Sequence, residues 1–358
     1  MFLSDTDRQY RSLCNRIGMA LIVFYLIFNI LSAGITLVQE KAYYAYSGDF
    51  VDIVFSLANS LAYLFSFMFP VLFFKLISRK HSFPKMNLEF RLSKKLWLII
   101  PAALGINFFT AEINHLLLLP INFSEVIAQP IPESYHLHNF VLDVIGTAMV
   151  PAICEEFLFR GLILSALLPY GKKTAIFGSA ILFSLMHQNP AQILYTVVLG
   201  VIFAYMVIDS KSIWGGIILH FVNNLVSVIM NAIVYTCDPN LADVLYMIIF
   251  IGIMVIGLII SGFLIARYFV RRKNQKRENA LRREMMPSIA EKGLYGVDKL
   301  CDDGVEESTY KLSPKYAVKG FFAPCNVIFM VLAIANMILL IGMAIFMKLG
   351  GVNGLLQL

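Results

Sequence analysis

The stretch Pro151-Ala152-Ile153-Cys154-Glu155-Glu156-Phe157-Leu158-Phe159-Arg160-Gly161 lies in the middle of an apolar run from 138 to 168. That run is longer than the roughly 20 residues that carry a helix across about 30 Å of hydrocarbon. An ionisable side chain at the centre of such a helix costs roughly 2.5–3.5 kcal/mol by insertion scales. Here two carboxylates and a guanidinium fall between 155 and 160. A membrane helix that bears this cost is using the charges for chemistry or transport.

Working outward, the rest of the chain has the same solvent. Of 358 residues, 59% are hydrophobic and 15% charged, against about 25% charged in soluble domains. Apolar runs occur at 16–38, 51–77, 95–118, 138–168, 173–188, 191–209, 212–235, 241–269 and 325–348. Only helices satisfy their own backbone hydrogen bonds in lipid outside closed barrels, so the expectation is an all-α, polytopic integral membrane protein with nine spans. The runs 173–188 and 191–209 are short and separated only by a Pro-containing turn, which reads as a tight helical hairpin.

Charge sets the orientation through the positive-inside rule. Arg8, Arg11 and Arg16 precede the first run; Arg79, Lys80, Lys85, Arg91, Lys94 and Lys95 follow the second. Lys172, Lys173 and Lys211 mark two further connections, and Arg271, Arg272, Lys273, Lys276, Arg277, Arg282 and Arg283 follow the eighth run. The alternate loops are nearly free of basic residues. A multi-pass protein of the cell membrane with a cytoplasmic N-terminus and an external C-terminus follows, its first run acting as a signal anchor. The net charge of +6 is thereby a topology signal, and no nucleic-acid partner is expected. Five scattered cysteines, Cys14, Cys154, Cys237, Cys301 and Cys325, offer neither a disulfide framework nor a thiolate metal site.

The chain divides into N-terminal spans over 1–137, a core over 138–269, a charged cytosolic linker over 270–324, and a last span with its tail over 325–358. The linker is basic first and then acidic at Asp302, Asp303, Glu306 and Glu307. No internal repeat is visible.

Of the six histidines, only His187 and His220 are embedded in apolar runs. Counting at about 1.5 Å per residue places Glu155, His187, His220 and Asn224 roughly 13–21 Å from the cytoplasmic edge, in one layer. Glu156 and Arg160 are four apart and pair on one helix face. Glu155, rotated by about 100°, is left for another partner, and His187 is the candidate. His220 and Asn224 also share a face. A carboxylate beside an imidazole can activate water, and His and Asn donors can stabilise the oxyanion of a tetrahedral intermediate. Equally, Glu155, His187 and His220 could ligate zinc with water in the fourth position. Neither a His-Glu-x-x-His helix nor a serine-nucleophile motif is present.

Three motifs, Glu155-Glu156-x-x-x-Arg160, Phe183-x-x-x-His187 and His220-x-x-x-Asn224, resemble the CAAX protease and bacteriocin-processing family of intramembrane proteases in order and spacing. The resemblance covers 138–235. It implies an eight-helix catalytic core, to which this chain adds a ninth, C-terminal span. It further implies an endopeptidase acting on a membrane-associated protein or peptide. Glu155 would be the base beside His187, His220 and Asn224 the oxyanion site, and Glu156 and Arg160 the support. Zinc is an option for this family, not a deduction. Two other classes compete: an ion-coupled transporter, because buried Glu, His and Arg also build proton relays, and a non-catalytic scaffold or bacteriocin-immunity protein of the same fold. The oligomeric state is not written in the sequence.

Overall fold

The computed structural model describes residues 4–45, 49–79, 83–123, 134–291, 310, 312 and 314–348. Among these, all regular structure is helical. The elements are α1 (Asp5–Ala45), α2 (Asp49–Ile77), α3 (Leu96–Leu118), α4 (Leu137–Tyr170), α5 (Lys172–Met186), α6 (Ile193–Ser210), α7 (Trp214–Thr236), α8 (Pro239–Glu291), α9 (Pro314–Phe321) and α10 (Pro324–Lys348). The protein is a multi-pass, all-α membrane protein. The acidic cluster at Asp302, Asp303, Glu306 and Glu307 lies outside the described residues, as does Cys301; Cys14, Cys154, Cys237 and Cys325 are free thiols.

Among the described residues eight of these helices are long and apolar enough to cross a membrane, and each of the nine apolar runs forms a helix. The one that falls short is α5. Its 15 residues span roughly 22 Å at about 1.5 Å each, less than the hydrocarbon thickness. The chain turns back at Gln188, which takes a left-handed φ of 54°, and Asn189 holds the turn by accepting from the Ala191 amide at 2.9 Å.

A turn at membrane depth is tolerated only where protein satisfies its backbone, and this one is well supplied. On α3, buried Asn114 donates to the Pro190 carbonyl at 3.0 Å and accepts from the Leu194 amide at 3.2 Å. Ser184 donates to the Ile193 carbonyl at 2.8 Å, and Thr196 donates to the Ser184 hydroxyl at 2.8 Å. The side-chain oxygen of Gln188 accepts from Asn29 of α1 at 3.4 Å and from Asn336 of α10 at 3.1 Å. Three helices thus fix the segment that carries His187.

Small residues set the close crossings, as they do where lipid supplies no hydrophobic drive. A Cβ on Gly105 would lie 2.5 Å from Gly257 Cα, so α3 and α8 touch backbone to backbone there. Ser261 bonds across the same contact to the Ala102 carbonyl at 3.2 Å. The run at 241–269 does not end where its apolar character ends: α8 continues through the basic residues to Glu291, taking in the start of the expected linker. Leaving the membrane does not break a helix, and Lys, Arg, Glu and Leu beyond Phe269 are good helix formers.

Candidate active site

The site begins with a proline. Pro151 has no N–H to offer the carbonyl four residues back, which is that of Thr147. Around it α4 widens into π-helical turns at Val144–Met149 and Phe157–Leu164, a distortion that recurs at functional sites. Between them sits the α-helical turn Val150–Glu156, on which both carboxylates are buried.

Arg160 is completely buried, and both terminal nitrogens of its guanidinium are hydrogen-bonded, while Nε has no partner among the described residues. Nη1 donates to Glu156 Oε1 at 2.7 Å and Nη2 to the Gly200 carbonyl at 3.1 Å. The ring of Phe183 lies 4.4 Å from it and that of Phe203 5.2 Å, a desolvated cation–π arrangement. Two glycines make room. A Cβ on Gly200 would meet Ala180 Cβ at 2.9 Å, so α5 and α6 approach closely beside the arginine. A Cβ on Gly216 would come within 2.6 Å of Glu156 Oε2, so only glycine lets α7 lie against that carboxylate.

Arg160 balances one carboxylate. Glu155, 2% exposed, has a different set of neighbours. The Tyr63 hydroxyl of α2 donates to its Oε1. Its Oε2 faces His187 Nε2 at 3.8 Å and His220 Nε2 at 3.9 Å. Both separations exceed a direct hydrogen bond, and among the described residues neither Glu155 Oε2 nor His187 Nε2 has a hydrogen-bond partner. The imidazoles are held by aromatic packing: His187 stands edge-on to Phe183 with centroids 5.1 Å apart, and His220 stacks on Phe203 at 5.0 Å. His220 Nδ1 lies 3.2 Å from Glu156 Oε1, so this imidazole bridges the two carboxylates rather than standing apart with Asn224.

The structure therefore brings together Glu155, Glu156, Arg160, His187 and His220 from α4, α7 and the hairpin after α5. Asn224 is placed differently. Its amide donates to the Thr147 carbonyl at 3.3 Å, the one that Pro151 deprives of its helical donor, and its Oδ1 accepts from Asn223 at 3.3 Å. Sequence reasoning missed Tyr63, Phe203, Gly200, Gly216 and Gln188. For Tyr63 a signal existed: Asp52, Ser56, Asn59, Ser60 and Tyr63 form a polar stripe at helical spacing in an apolar run. The others look like ordinary membrane-helix residues.

The donor set proposed for zinc can be tested on these distances. A tetrahedral ion about 2.0–2.1 Å from each donor needs donor separations of roughly 3.4 Å, narrower than the 3.8 and 3.9 Å found at Glu155 Oε2. Among the described residues no three His, Cys, Asp or Glu are set to hold a metal ion.

Residues 137–226 match the family model described as type II CAAX prenyl endopeptidase Rce1-like. The matched stretch contains all six candidate residues, and the resemblance read from their spacing is upheld over it. The chain thus carries a stretch similar to a protease family, while α1, α2, α3, α8, α9 and α10 lie wholly or mostly outside it. No curated protein and no solved structure matches the chain.

Proposed function

We propose that this protein is an intramembrane endopeptidase that hydrolyses a peptide bond of a membrane-associated protein or peptide by water activated at Glu155. The observation that carries the reading is the Glu155 carboxylate, buried without a cation of its own, with one oxygen held by Tyr63 and the other facing two imidazoles. A carboxylate used only for packing would be paired, as Glu156 is with Arg160.

In this reading a water is held by Glu155 Oε2 and His187 Nε2, neither of which has a hydrogen-bond partner among the described residues. Glu155 takes its proton as the oxygen attacks the carbonyl carbon of the scissile bond. The carbonyl oxygen becomes an oxyanion, for which His220 and Asn224 are the donors. Collapse of the intermediate breaks the C–N bond, and the proton held by Glu155 passes to the leaving nitrogen, giving a carboxylic acid and an amine. Glu156 and Arg160 fix α4 and orient His220. The name of the matched model suggests prenylated C-terminal peptides as one substrate class; other membrane-anchored precursors present the same bond to the site.

The test is Glu155→Gln in membranes, with the peptides released by wild type and variant compared by mass spectrometry. The expected outcome is loss of cleavage by about 10³-fold or more with unchanged abundance. Cleavage retained in the variant overturns the reading. Cleavage by the wild type is expected to survive a zinc chelator; loss on chelation and recovery with zinc would replace the bridging water by a metal-bound one.

A further inference from the structure

The face that α7 turns to the two carboxylates of α4 carries His220, Asn223 and Asn224, at i, i+3 and i+4. Two of the three have clear partners on α4. His220 reaches both carboxylates, with Nδ1 3.2 Å from Glu156 Oε1 and Nε2 3.9 Å from Glu155 Oε2. Asn224 reaches the Thr147 carbonyl at 3.3 Å. Asn223, about one turn from His220 and only 9% exposed, stands beside both contacts. Neither the motif spacing nor the reaction gives it a role.

The hydrogen bonds fix which way its amide points. The Thr147 carbonyl can only accept, so the Asn224 atom facing it is Nδ2 and the Asn224 oxygen points elsewhere. That oxygen accepts from Asn223 at 3.3 Å, which fixes the donating Asn223 atom as Nδ2. The Asn223 oxygen is left over: it is buried and has no hydrogen-bond partner among the described residues. Glu155 Oε2 and His187 Nε2, the two atoms assigned to the reacting water, are in the same condition. Orphaned amide oxygens also occur at Asn107 and Asn326, but those lie on α3 and α10, which carry no candidate catalytic residue. A buried acceptor costs free energy until a donor arrives.

We propose that Asn223 binds the main chain of the substrate, its Oδ1 accepting a peptide N–H next to the scissile bond. The inference rests on the endopeptidase reading of Glu155 and adds to it how the backbone is recognised. In that reading the other polar groups leave the task open. His220 and Asn224 donate to the carbonyl oxygen, Glu155 takes the proton of the water, and Glu156 Oε1 is engaged by Arg160 and His220. A peptide N–H drawn into a buried site needs an acceptor too, since an unpaired one is penalised. A neutral amide oxygen accepts it without entering the proton transfers. Such a contact selects an amide backbone rather than a particular side chain. It also excludes proline at the position whose N–H is bound.

The experiment uses the full chain in membranes and a synthetic peptide spanning the bond that the wild type cuts, together with the same peptide N-methylated at one backbone nitrogen at a time. Methylation removes one N–H and keeps every side chain and carbonyl. One methylated peptide is expected to raise KM for the wild type by about tenfold with kcat little changed, as for a hydrogen bond made equally in ground and transition states. Asn223→Ala should raise KM for the parent peptide by a similar factor and show no further rise with that methylated peptide. Asn223→Asp, which keeps an oxygen, should retain the sensitivity. An effect passed through Asn224 falls on kcat and is the same for both peptides, so it cancels in the comparison. If methylation at every nitrogen penalises Asn223→Ala as much as the wild type, the proposal is overturned. Should Asn223→Ala not accumulate in the membrane, Asn223→Ser takes its place in the cycle. A wild type that cuts no peptide ends the endopeptidase reading and the proposal with it; additive losses with cutting intact end the proposal alone.

Discussion

At the residue scale the site rests on a division of labour between neighbours. Glu156 has a guanidinium at 2.7 Å; Glu155, one position earlier, has a tyrosine hydroxyl and two imidazoles. A rotation of about 100° per residue is enough to give adjacent carboxylates different environments. This separation was legible in the sequence because Arg160 stands four residues after Glu156 and no cation stands in register with Glu155. Tyr63 was not legible in that way, since one more aromatic among 29 Phe and 16 Tyr is background until a partner is seen. Asn224 is where the sequence-derived role and the observed contact differ, its amide lying on the Thr147 carbonyl. If it turns to the oxyanion during the reaction, Asn224→Ala lowers kcat by about 10²–10³ with KM little changed. A change below tenfold with a loss of thermal stability would instead assign the residue to the carbonyl that Pro151 leaves without a donor.

At the element scale the helices outside the matched stretch do more than anchor the protein. Gln188 follows His187 and is bonded by Asn29 from α1 and Asn336 from α10. The last helix therefore reaches the hairpin that carries a candidate catalytic residue. It is itself fastened to α1, where the Cys325 amide donates to Asn15 at 2.9 Å and Asn326 packs against Gly18. Asn336→Leu, which keeps the volume and removes the donor, is expected to lower kcat by roughly tenfold through misplacement of His187. Membrane insertion and KM should hold. Unchanged kcat would mean that α10 only packs. The apolar runs announced the spans by composition, but the ends of α5 and α8 were not announced. One stops short because neighbouring helices satisfy its turn, and the other runs on because charge does not end a helix.

At the scale of the whole molecule, the basic residues on alternate loops carry the expectation of a cytoplasmic N-terminus, which thiol labelling tests. An N-terminus on the cytoplasmic side would put Lys94 inside and Ser134, which lines the cavity between α2, α4 and α7, outside. In intact cells Ser134→Cys is then expected to react with an impermeant thiol reagent, and Lys94→Cys only after permeabilisation; the reverse pattern would invert the bundle and turn the cavity towards the cytoplasm. The sequence by itself determined that the chain is a helical membrane protein. It also determined which ionisable residues stand at membrane depth and that they share one layer, because solvent, helix rise and charge cost are local quantities. Only the tertiary structure decided what each charge faces. Tyr63, the gap between Glu155 and the two imidazoles, the Asn336–Gln188 tie and the polar cavity all join residues distant in the chain. No periodicity encodes such pairings, because they are set by how ten helices pack. The string Glu155-Glu156 stated that a cost was borne, and the fold showed that one carboxylate is matched by Arg160 while the other is left facing a site.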